Sequence, residues 1–185
     1  MSTLKKFSEW LAELDERACG FGTIIMLHPD TGEPMQHTIR PEYFESSFTN
    51  NTTPTTIDAQ NEWQAIDIEP DIEELSGFDK DRVNGGYIYT GNCTVKPRKI
   101  MATLAMEAGG NNQSVEVAFF RDSGDGLEII PATHIQHEFM VGGVLENLVS
   151  QAIITLEEGD RILLMFRNIT STTAVTFETV QKTLI

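Results

Sequence analysis

Apolar residues recur along this chain with two different periods. Between residues 3 and 18 the steps alternate between three and four, through Leu4, Phe7, Leu11, Leu14 and Ala18, which is the seam of a short amphipathic helix. Ser2 or Thr3 can cap its start, and Gly20 can end it. A helix this short is marginal alone, so it is expected to pack on its own domain or to dock on a partner. From Thr56 onward the period is two. "RKIMATLAMEA" sets Ile100, Ala102, Leu104 and Met106 on one face, and "SVEVAFFR" sets Val115, Val117 and Phe119 inward. "VNGGYIYTG" supplies an Asn-Gly-Gly turn and then a strand with Tyr87 and Tyr89 on one face. "LEIIPATHIQHEFMV" gives one or two shorter strands, and "AVTFETVQKTLI" the last.

Residues 21 to 56 read as a connecting region. "GTIIMLHP" is compatible with one short strand and "HPDTGEP" with a turn. "SSFTNNTTPTT" is polar and proline-containing, which places the domain boundary near Pro54. The expected organisation is a helix and linker over 1–55 followed by a β domain over 56–185. Many short strands separated by turn residues predict an all-β antiparallel sandwich or jelly roll.

One stretch complicates that picture. In "ITLEEGDRILLMFRN", Ile162, Leu164 and Phe166 point to one side of a strand while Leu163 and Met165 point to the other. Phe119 beside Phe120 and Ile153 beside Ile154 repeat the pattern. An antiparallel sandwich normally wets its outer face, so a second apolar face needs a cover. An oligomer interface on the outer sheet is the expected one.

The chain has 185 residues and a formal net charge of -15, which argues against nucleic acid or an anionic membrane as partner. No apolar run approaches the roughly 20 residues of a membrane-spanning helix. The start of the chain turns acidic too early for a signal peptide, so Cys19 and Cys93 are expected as free thiols. On the same ground the sequons at Asn50, Asn51, Asn92, Asn112 and Asn168 read as polar turns.

Candidate chemistry is sparse. His134 and His137 are three apart, which on a strand sends them to opposite faces and away from a shared metal. "DSGDG" at 122–126 lacks the further oxygens of a calcium loop and reads as a hairpin turn. The acidic run from Asp67 to Asp81 reads as a solvated loop able to meet a basic surface. No nucleophile elbow, phosphate loop, HExxH or dinucleotide fingerprint occurs, so neither an enzyme nor a cofactor is expected.

The residues do carry a resemblance. "NGGYIYTG", "KPRKIMATLAMEA", "VEVAFFRDSGDG" and "LVSQAIITLEEGDRILLMFRNIT" together resemble the C1q/TNF-like jelly roll. They are similar above all to the version in bacteriophage head-decoration, fibre and tail-spike proteins. The matching positions are Gly85, Tyr87, Tyr89 and Gly91, then Leu156, Gly159 and Asp160, then the strand closed by Asn168, with Trp63 on the first strand. The resemblance spans about 56–185. It implies a homotrimer, with Tyr87, Tyr89, Phe120, Leu163 and Met165 as candidate interface residues and Gly159–Asp160 as a structural turn. It further implies a capsid decoration or head-fibre role in the virion after synthesis in the host cytoplasm. In that role Leu4, Phe7, Leu11 and Leu14 would anchor the chain to the major capsid protein. A tail-fibre or spike module recognising a host glycan or protein is the alternative.

Overall fold

The computed structural model describes residues 42–82, 85–91 and 96–185, together with Thr31 and the course of two strands, β1 (Gly22–Leu27) and β2 (Pro34–Ile39). The expected helix with Leu4, Phe7, Leu11 and Leu14, and both cysteines, lie outside the described residues. β1 pairs antiparallel with β2, Gly22 opposite Ile39 and Leu27 opposite Pro34. The strand read in "GTIIML" is therefore half of a hairpin; its partner "PMQHTI" carries no clear alternation.

Two antiparallel sheets form the sandwich. One runs in the order β12 (Glu146–Ile154), β8 (Arg98–Ala108), β14 (Val175–Leu184), β3 (Tyr43–Phe48), β5 (Ile72–Ser76). The other runs β10 (Leu127–Ile129), β9 (Gln113–Asp122), β13 (Arg161–Asn168), β7 (Gly86–Tyr89), β6 (Phe78–Asp81). β11 (Ile135–Phe139) adds to β9, and β4 (Gln64–Ala65) adds to β13. All-β antiparallel layering is thus the architecture, as the spacing of turns predicts.

β3 sits between β14 and β5, with Phe44 opposite Leu184 and Phe48 opposite Val180, so the sandwich begins upstream at Tyr43. "YFESSF" alternates properly, but the inward position between Phe44 and Phe48 is Ser46, which hides the period.

The core lies between the sheets. Phe44 stacks on Tyr87 at 4.3 Å and meets Phe78 edge-on at 5.2 Å, and Phe166 meets Phe177 at 4.8 Å. Even-numbered residues of β8 and odd-numbered Val115, Val117 and Phe119 of β9 fill it, as the alternation predicts. β14 changes phase. A bulge between Phe177 and Thr179 moves the inward set from Val175 and Phe177 to Val180, Lys182 and Leu184.

Candidate functional site

The second apolar face on β13 is closed within the chain. Ala118, Phe120, Leu163 and Met165 form a buried cluster on the outer side of the sheet, with Trp63 and Ile129 packed on it. Register explains the grouping: Leu163 lies opposite Phe120 and Met165 opposite Ala118. Trp63, just before β4, meets Phe120 edge-on at 5.0 Å. The Arg167 guanidinium lies over the indole at 4.7 Å and donates to Glu116 at 2.6 Å. A cation on a tryptophan face, held in place by a carboxylate, fixes the cover as well as shielding it.

Tyr87 and Tyr89 take the opposite side and point into the core. Tyr87, Tyr89, Phe120, Leu163 and Met165, the residues expected at a self-association surface, thus fall into two groups on opposite faces of this sheet. All are buried inside one chain and have almost no area left to give a neighbour. Parity alone could not show that the Trp63 segment returns over the outer face.

An exposed apolar face does exist, on the other sheet. Val149 and Ile153 of β12 point outward and are 55% and 75% exposed. Ile153 lies opposite Lys99, which is hydrogen-bonded through its backbone to the exposed Ile185. The next rows run Gln151, Met101, Thr183 and Val149, Thr103, Gln181, with Ala105 beyond. Isoleucine, valine, methionine, alanine and threonine share this face with Lys99, Gln151 and Gln181.

A polar row enters the core at the β5–β6 edge. Lys182 lies opposite Ala102 on β8 and Ser46 on β3, and Ser46 lies opposite Glu73 on β5. Small neighbours leave room for the lysine, which is only 5% exposed. Its Nζ sits 5.1 Å from the Tyr87 ring centre on the facing sheet. Burial pulls the Lys182 pKa down to about 8, opposed mainly by the Glu73 carboxylate. Burial likewise pushes the Tyr87 phenol well above its usual range; its hydroxyl donates to Glu73 at 3.2 Å. Ser46 Oγ lies beside that hydroxyl but is buried outside hydrogen-bond geometry. Lys80 bonds Glu69 at 2.8 Å and lies 3.6 Å from Glu73. Sequence reading missed Lys182, although the alternation Val180, Lys182, Leu184 carried the signal.

Other ionic groups are structural. Buried Arg98 pairs with Glu42 and donates to the Tyr89 hydroxyl at 2.7 Å, and that hydroxyl donates to Glu42 at 2.6 Å. Arg161 joins Asp81 at 2.5 Å to Asp122 at 3.2 Å. Asp122 also accepts from the Gly124 amide, so "DSGDG" is tied up as a turn. His134 and His137 face different carboxylates, Glu116 at 3.2 Å and Glu146 at 3.3 Å. No group of three or more His, Cys, Asp or Glu among the described residues is placed to hold a metal.

The Gly-Asp turn is built as its residue types require. Gly159 has φ +93°, and Asp160 accepts the Glu157 amide at 2.8 Å through its side chain. Its backbone carbonyl accepts from the Tyr89 amide at 2.8 Å, which ties the turn to β7. Asn168 is fully buried and bonds Gln113, Thr170 and Thr173, closing the far end of β13.

No protein-family model and no curated protein sequence matches the chain. Solved structures do. The chain is similar to murine APRIL at pH 5.0, with a TM-score of 0.52 and 7% identity, over 77% of this chain and 98% of that one. It is similar also to the globular domain of zebrafish complement 1qA protein, with a TM-score of 0.50 and 13% identity, over 78% of this chain and 96% of that one. Likeness at such low identity shows the fold, a TNF/C1q-like jelly roll.

Proposed function

We propose that this chain is a self-associating binding module rather than an enzyme: a homotrimeric jelly roll that decorates a bacteriophage head. The observation that carries self-association is the exposed face of the sheet β12-β8-β14-β3-β5, with Val149, Ile153 and Ile185 in the open. Burying such side chains is worth roughly 25 cal/mol per Å², and a face that buries about 800 Å² per subunit would hold an assembly. The viral reading rests on the "EEGDRI" turn followed by an apolar strand closed by Asn168, which resembles phage decoration domains. In this account the segment with Leu4, Phe7, Leu11 and Leu14 anchors the protein to the major capsid protein. The site of action is then the virion surface.

The test is co-sedimentation of the full chain with phage heads assembled from the major capsid protein alone. Saturable binding, lost when Leu4, Phe7, Leu11 and Leu14 are all changed to Ser, is the expected result. Binding that survives those changes would move the anchor into the β domain. Retention on host cells with none on heads would replace decoration by the tail-fibre reading.

A further inference from the structure

The outer face of the sheet β12-β8-β14-β3-β5 is unevenly charged from one side to the other. Odd-numbered residues of β12, β8 and β3 point outward, and register sets them in rows. One row runs Ile153, Lys99, Ile185. The next reaches Glu45 of β3, which lies opposite Glu74 of β5, and beside that pair Ser47 lies opposite Ile72. Two carboxylates directly opposite each other repel. Glu45 accepts from Gln181 Nε2 at 3.1 Å and Glu74 from the Tyr43 hydroxyl at 3.4 Å. Yet none of the ion pairs among the described residues involves Lys99, Glu45 or Glu74. Each side also carries apolar side chains in the open: Ile153 beside the lysine, and Ile72, 59% exposed, beside the carboxylates.

We infer that Lys99 of one copy pairs with Glu45 and Glu74 of the next, so that the β12 side of this face docks on the β5 side of its neighbour. This rests on the self-association proposed above and gives that contact its direction. β12 and β5 are opposite edges of the sheet, so the contact is head-to-tail, and contacts of that kind close into rings. Ile153 then meets Ile72, which excludes water from around the ammonium and both carboxylates. A cation set between the two carboxylates relieves their repulsion, and the same arrangement rejects a neighbour that brings like charges together.

The experiment is light scattering of the full chain across a dilution series, with circular dichroism to check the fold of each variant. Lys99→Glu, and separately Glu45→Lys with Glu74→Lys, should each raise the concentration at which the assembly falls to one chain mass by at least about tenfold. A chain carrying all three changes has the same pairing with its signs reversed. It should return to within about threefold of the wild type. A wild type that assembles and is weakened by neither charge variant overturns the inference and leaves the self-association standing. Weakening in both variants with no recovery in the triple variant overturns the pairing. A wild type at one chain mass throughout overturns the self-association, and this inference with it. Should a variant fail to fold, the wild type decides: its assembly should weaken between about 0.05 M and 0.5 M sodium chloride, and assembly indifferent to salt overturns the inference.

Discussion

At the scale of single residues, the sandwich is pinned by polar groups where apolar ones would have served for folding alone. Arg98 is buried, and Glu42 supplies a carboxylate that both Arg98 and Tyr89 reach. Gly91 is packed against that carboxylate so closely that a Cβ would overlap Glu42 Oε1. Removing one side of a buried pair leaves the other charge in low dielectric, which costs about 3–5 kcal/mol. Glu42→Ala should therefore lower the urea midpoint sharply, whereas the exposed Glu158→Ala should leave it almost unchanged. Lys182 gives a pH signature. Its folded pKa of about 8 lies below the ordinary 10.5, so the unfolded state binds more protons between those values. Stability should then rise with pH from about 8 toward 10.5. Tyr87, pushed up by burial, works the other way only above about pH 10. Lys182→Met should abolish the rise and stabilise the protein at neutral pH by roughly 1–3 kcal/mol. Urea unfolding at about pH 7 and pH 9 decides it, and a wild-type stability that falls across that interval contradicts the assignment.

At the scale of elements, β3 and the Trp63 segment change how the chain divides. β3 lies inside a sheet, so removing residues 1–41 should leave a cooperatively folding sandwich. Removing 1–54 deletes β3 and Glu42 and should leave a chain that no longer unfolds cooperatively by circular dichroism. Equal stability of the two truncations would restore the boundary near Pro54. Trp63→Ala should open the cluster of Phe120, Leu163 and Met165 and cost about 2–4 kcal/mol, with gain of hydrophobic dye binding. These elements also mark how far sequence carries. β8 alternates over 11 residues and β9 through Val115, Val117 and Phe119, so their inward faces were legible from period alone. Both parities of β13 were legible as apolar, but the cover was not, because Trp63 lies about a hundred positions upstream. β3 was hidden by an inward serine, and the change of inward parity midway along β14 by a bulge between Phe177 and Thr179. Such features depend on long-range pairing, which local pattern does not encode.

At the scale of the whole molecule, the two sheets differ in what their outer faces need. One is sealed by Trp63 and Arg167 from the same chain. The other leaves Val149, Ile153 and Ile185 exposed around Met101, Thr103 and Ala105. Ile153→Asp combined with Val149→Asp touches no core contact and should change monomer stability by less than about 0.5 kcal/mol. A charge at the centre of a buried apolar interface is far more damaging, so the same pair should abolish self-association. The measurement that tests this account most directly is the solution mass of the wild type and of the Val149→Asp, Ile153→Asp pair, by light scattering across a dilution series. A wild type at three chain masses throughout, with the pair at one chain mass and unchanged circular dichroism, is the predicted result. A wild type at one chain mass at every concentration would contradict it.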